Sequence, residues 1–107
     1  MARIQTVTLL QPGTSQTLPT DINKNPFNVS VFVEVTGTVN YTVNATGDDL
    51  QKTPAVTPVW IPHTILASQT TSQASNYAFP VTGIQVVMNS GTGSLVMNVI
   101  QAGIGST

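Results

Sequence analysis

The sequence predicts an all-β domain, a two-sheet antiparallel β-sandwich or small jelly roll, and three observations carry that expectation. Apolar and polar residues alternate with period two in several runs; no stretch sustains a 3.6-residue apolar stripe; and Gly, Pro, Asn and Asp punctuate the runs as turns do. A chain of 107 residues has room for a single domain, residues 1–107, with one modest core. Helix is expected to be minimal.

The first strand expected is Ile4 to Leu10, closed by Pro12-Gly13, and residues 1–12 serve either as that strand or as an extended N-terminal arm suited to β-addition on a neighbour. "TLPTDINKNPF" follows as a loop, since Pro19, Pro26 and the Asp and Asn residues favour turns. In "NVSVFVEVTGTVNYTVNATGDD", Val29, Val31, Val33, Val35, Val39, Tyr41 and Val43 keep one parity straight through Gly37. Two arrangements preserve it: a hairpin with the odd-length loop Thr36-Gly37-Thr38, or one long strand kinked at Gly37. Either way the odd-numbered set faces the core, and Asn40, Thr42 and Asn44 face out.

Pro54, Pro58 and Pro62 keep the next stretch out of the middle of a sheet and leave Val59, Trp60 and Ile61 as a short edge strand. The last expected element is a hairpin. With Gly91-Thr92 as a two-residue loop, Met88 would pair with Leu95 and Ile84 with Val99, placing Ile84, Val86, Met88, Leu95, Met97 and Val99 in the core.

Charge sets the chain apart: only 7% of residues are Asp, Glu, Lys or Arg, against about 25% in an average soluble protein. Thr, Ser, Asn and Gln, roughly two residues in five, take over the solvated faces of the sheets. With a net charge of −1 and only Arg3, Lys24 and Lys52 positive, there is no basic footprint for a phosphate backbone, so a nucleic-acid partner is not expected. Low net charge also weakens self-repulsion and favours close association with copies of the chain or with a larger surface. Cysteine is absent, so no disulfide framework or thiolate metal site contributes. "MARIQTVTLLQPG" is interrupted by Gln5, Thr6 and Thr8 well short of a leader core or a membrane span, which reads as neither exported nor membrane-embedded.

No motif for catalysis emerges. His63 is the single histidine, without partners of the right type to orient a nucleophile or hold a metal. Asp48-Asp49 would make a poor Ca²⁺ cage, because six or more oxygen ligands are needed and few other carboxylates are near in sequence; an Asp turn bonding backbone N–H groups suits them better. G-x-S-x-G, H-E-x-x-H and phosphate-binding glycine loops are missing. The protein is therefore read as a non-enzyme with no cofactor. Sequons at Asn28, Asn40 and Asn44 fall on an Asn/Thr-rich strand face, and without a leader they are not expected to be glycosylated. Trp60 lies between Pro58 and Pro62; with His63, Tyr77 and Phe79 it forms the candidate interface cluster, because Trp combines large apolar area with one donor.

The runs "TGDDL", "TPVWIPHTIL" and "ASNYAFPVTGIQVVMNSGTGSLVMNVIQAG" resemble a group of small tailed-phage proteins. Shared features are a Thr-x-Asp-Asp loop, a mid-chain Trp, an Asn-x-x-x-Pro approach to a final hairpin and a closing Ile-Gln, over roughly residues 28 to 103. Gln85 departs from the group, where an arginine is common, so no charge-dependent contact is carried over to that position. The resemblance implies a virion structural component made in the host cytoplasm. Its nearest functional match is a capsid decoration, or cement, protein on the outer head, with the major capsid protein as partner and a homo-oligomer, trimer or dimer, as its state. Two other roles fit the same features: a carbohydrate- or receptor-binding module of a head or tail fibre, acting through Trp60 and the surrounding amides and hydroxyls, and a tail or head-completion component.

Overall fold

The computed structural model describes residues 3–20, 24–25, 28–48, 58–78, 80–101 and 104–105. Among them are eleven strands and no helix: β1 (Arg3–Leu9), β2 (Gly13–Thr14), β3 (Leu18–Pro19), β4 (Lys24–Asn25), β5 (Val29–Thr36), β6 (Val39–Thr46), β7 (Ile61–Pro62), β8 (Gln73–Tyr77), β9 (Gly83–Gly91), β10 (Ser94–Gln101) and β11 (Ile104–Gly105). Two antiparallel sheets face each other across one core. The first has the order β1-β10-β5-β8; the second has the order β2-β9-β6-β7, with β3 also on β9, and β4 and β11 form a small separate pair. The expected β-sandwich is what the chain forms.

The sandwich is a single ribbon folded in half. Strand β5 leads into β6 and β9 into β10, yet neither consecutive pair is hydrogen-bonded together: β5 pairs with β10 in one sheet, while β6 pairs with β9 in the other. Residues 29–46 and 83–101 thus run antiparallel along their whole length and bend together where Gly37-Thr38 crosses Thr92-Gly93. Residues 3–19 flank one side of this ribbon, through β1 on β10 and through β2 and β3 on β9. Residues 61–77 flank the other, through β7 on β6 and β8 on β5.

This arrangement resolves residues 28–44 and corrects the final hairpin. The chain does not turn back at Gly37; it passes from one sheet into the other, and folding a ribbon toward one face keeps that face concave, so the odd-numbered apolar set stays inside. The expected pairing of Met88 with Leu95 does not occur: Met88 lies beside Tyr41, and Leu95 between Leu9 and Val35. What resembled an even-length hairpin loop is a β-bulge. Asn40 opposes Ser90 but Tyr41 opposes Met88, leaving Asn89 as the extra residue. One inserted residue flips the side-chain alternation, so the inward set changes from Leu95, Met97, Val99 to Ile84, Val86, Met88.

The expected inward residues of the four long strands are in the core, with Val35 only partly buried, because burial follows parity rather than partner choice. Val29, Val31, Val33, Val39, Tyr41, Val43, Ile84, Val86, Met88, Leu95, Met97 and Val99 are all buried, joined by Leu66 and Val81 from connections. The buried Tyr41 hydroxyl donates to the Thr71 carbonyl at 2.7 Å and does not have to be left unpaired. Burial disfavours its phenolate and pushes the Tyr41 pKa up to about 12; burial raises Tyr77 as well. In the unfolded chain both phenols ionise near 10, so above that pH the unfolded state binds fewer protons than the native one. The contribution of these phenols to stability is expected to be lost as pH rises from about 10 to about 12, which urea titrations at stepped pH across that window will read as a declining midpoint. A midpoint that holds through pH 12 would mean that Tyr41 is solvated.

Candidate functional site

Two parts of the surface stand out, one around the expected aromatic cluster and one on a sheet face. The first is a pocket of about 380 Å³ at the end of the sandwich, lined in part by Ala45, Ile61, Pro62, His63, Tyr77 and Val81. His63 and Tyr77 meet there edge to face, with ring centroids 4.8 Å apart and planes at 82°. The structure therefore brings together two of the four candidate residues. Trp60 is half-buried next to exposed Val59 and Ile61 and does not line the pocket; Phe79 lies outside the described residues.

The contacts of His63 are those of a turn residue. Its Nδ1 accepts from the Ile65 and Leu66 N–H groups at 3.0 and 3.4 Å, so the ring proton sits on Nε2. Nε2 in turn donates to the Asn76 carbonyl at 3.1 Å, with Ser75 Oγ 3.3 Å away. Both ring nitrogens are thus engaged with backbone, which leaves neither one to serve as a base toward a substrate. Asp48 is engaged in the same way: its Oδ2 accepts from Val59 N–H at 2.6 Å and Thr46 Oγ1 at 3.1 Å. Asp49 is outside the described residues. Among the described residues no cluster of three His, Cys, Asp or Glu side chains is placed to hold a metal.

The second feature was not singled out from the sequence. On the outer face of the first sheet, cross-strand pairing sets side chains in rows: Ile4, Ile100, Ser30 and Asn76; then Thr6, Asn98, Phe32 and Ala74; then Thr8, Val96 and Glu34. Ile4 and Phe32 are exposed, Val96 and Ile100 half-buried. Glu34 is the one ionisable side chain among the described residues of these rows. A shallow recess of about 300 Å³ opens beside Phe32, bounded by Glu34, Ser72, Gln73 and Ala74. Neighbouring polar groups satisfy one another, as Thr6 Oγ1 does with Asn98 Oδ1 at 2.7 Å. The even-numbered alternation of Ile4, Phe32, Val96 and Ile100 was visible in the sequence, but only strand pairing shows that they share one face.

Fold and surface together define a folded-ribbon β-sandwich with a nearly uncharged outer face on its first sheet. The crystal structure of the SPBc2 prophage-derived protein YomS is similar to it, with a TM-score of 0.61, 8% identity, and 94% of each chain covered. Looser likenesses, at TM-scores of 0.41 and 0.40, are to a chain of Bacillus endospore appendages, 12% identical over 96% of this chain and 89% of that one, and to a family 11 carbohydrate-binding module of Clostridium thermocellum, 10% identical over 99% and 85%. No family model and no curated protein matches the sequence.

Proposed function

We propose that this protein is a non-enzymatic component of a tailed-phage virion, a decoration protein that binds the outer head and stabilises the lattice of the major capsid protein. The observation that carries the reading is the neutral outer face of the first sheet, where Ile4, Phe32, Val96 and Ile100 stand among Thr, Ser and Asn with a single carboxylate. Adhesion through such a face needs no long-range electrostatics: apolar area supplies the driving force and neutral hydrogen bonds the fit. The likeness of fold to a prophage-derived protein supports the phage setting, as does the sequence resemblance to small tailed-phage proteins. Binding only the mature shell lowers that state's free energy by about 2.7 kcal/mol per site at a hundredfold excess over Kd, and lattice symmetry repeats the gain. Glycan binding through the expected Trp60 cluster is less well served, since sugar stacking wants an exposed aromatic plane, while Trp60 is half-buried, Tyr77 is buried, and the exposed ring among the described residues is that of Phe32 on the neutral face.

The test is addition of the purified protein to mature shells that lack it, with occupancy measured at about 0.1 M and about 1 M NaCl. Screening at 1 M shortens the Debye length to about 3 Å and removes the long-range terms this face hardly possesses, so Kd is expected to change less than about threefold. Phe32→Asp, at an exposed position, should weaken binding by about tenfold or more while the fold is kept. A salt loss beyond tenfold would mean that charged groups, whether Glu34 of this face or Arg3, Lys24, Lys52 and the Asp48-Asp49 pair, carry the contact, and would overturn the neutral adhesive face. Absence of binding to shells, with retention on a glycan surface that Trp60→Ala abolishes, would replace the decoration role with the receptor-binding one.

A further inference from the structure

We propose that the outer edge of β1 is a pairing surface for a second copy of this chain, joining two first sheets into one eight-stranded sheet across a two-fold axis. Exposed sheet edges are ordinarily protected by charge, proline, shortness or a covering group, because unpaired N–H and C=O groups recruit another strand. The other edges of this sandwich each show such a device. Strand β7 is two residues long and contains Pro62, and β2 and β3 are two residues each with Pro19 in the second. On β8, the His63 ring covers the edge by donating to the Asn76 carbonyl. Among the described residues, β1 has little of this protection: it is seven residues long, pairs only with β10, and beyond Arg3 at its first position carries neither a charge nor a proline as far as Gln11.

Two further features converge on the same edge. The two most exposed large apolar residues next to it are Ile4, 65% exposed, and Leu10, 75% exposed, at the two ends of the strand. Beneath it the seam between the sheets is open. Gln5 Nε2 closes one end by donating to the Pro19 carbonyl at 2.8 Å, but a recess of about 340 Å³ remains between Thr6–Leu9 and Thr14–Gln16.

The strand is self-complementary in a way that selects the occupant. If two copies pair antiparallel with the axis at Val7, Ile4 of each copy faces Leu10 of the other, Gln5 faces Leu9, and Thr6 faces Thr8. Both exposed apolar residues are then covered twice over by one operation, an isologous contact. No like charges meet, since Arg3 falls opposite Gln11. Because the axis is perpendicular to the sheet, the neutral outer faces of both copies lie on the same side and merge into one surface.

Sedimentation of the full chain from about 1 to 100 µM tests the proposal, independently of any shell. The wild-type chain is expected to dimerise within that range. Ile4→Lys alone and Leu10→Glu alone should each weaken the dimer about tenfold or more, because a charge then faces an apolar side chain at the seam. The double variant I4K/L10E should recover to within about threefold of wild type, since Lys at 4 then faces Glu at 10 of the second copy. Both sites are exposed, and circular dichroism verifies that each variant keeps its β structure. A wild-type chain that stays monomeric at 100 µM, single variants that dimerise unchanged, or a double variant that stays as weak as the singles would each overturn the pairing.

Discussion

Gly93→Ala is expected to destabilise the fold by about 3 kcal/mol or more, a large share of the roughly 5–15 kcal/mol that holds a domain of this size. At the crossing of the ribbon, the Gly93 N–H donates to the Thr38 carbonyl at 2.9 Å. A Cβ on Gly93 would overlap the Thr36 carbonyl oxygen and lie 2.9 Å from the Thr38 nitrogen. These are backbone atoms, so no rotamer change relieves the overlap, and the two halves of the ribbon would have to separate. Gly91→Ala meets the same obstacle with strain added, because its φ is +122° and its Cβ would come 2.8 Å from the Val39 Cα. Gly47→Ala serves as the control: no described residue lies within 4 Å of its Cβ, and a change under about 0.5 kcal/mol is expected. Urea midpoints at unchanged slope give the comparison. Equal, small losses for Gly93 and Gly47 would mean that the two backbones do not meet at contact distance at the crossing.

Leu95→Ala should cost about 2–5 kcal/mol, the range for removing a fully buried leucine and leaving a cavity that its neighbours fill incompletely. Leu95 is completely buried on the inner face of the first sheet, opposite Leu9 on one side and Val35 on the other. Those two are only partly buried and can shift toward the gap, which favours the lower part of that range. Val96→Ala, one residue on and facing outward, should change stability by less than about 1 kcal/mol. Were the two losses equal, or that of Leu95 below about 0.5 kcal/mol, the inward face would be the wrong one.

The candidate cluster was legible in part. His63 and Tyr77 come together because β8 and the turn after β7 share an end of the sandwich, and edge-to-face contact with hydrogen bonds to Ile65, Leu66 and Asn76 gives His63 a structural place. Trp60, the strongest signal by residue type, stays off that pocket. The neutral outer face of the first sheet was not singled out, because Ile4, Phe32, Val96 and Ile100 are far apart in the chain and each looks like an ordinary outward strand position. Gln85, flagged as a departure from an arginine, is buried, where an uncharged amide is easier to accommodate than a guanidinium without a partner.

Side-chain alternation is a local property, so the sequence by itself determined the all-β class, the inward parity of β5, β6, β9 and β10, and with it the larger part of the core. It also determined the scarcity of charge that leaves the outer face of the first sheet nearly neutral. Partner choice is not local. A parity reversal between Met88 and Leu95 is produced equally by an even-length hairpin loop and by a bulge at Asn89, and a parity preserved through Gly37 by an odd-length hairpin or a fold in the ribbon. Only the tertiary structure chose, because the choice rests on Gly37, Gly91 and Gly93 letting two backbones cross at contact distance, a requirement of two segments some fifty-five residues apart that neither segment expresses alone.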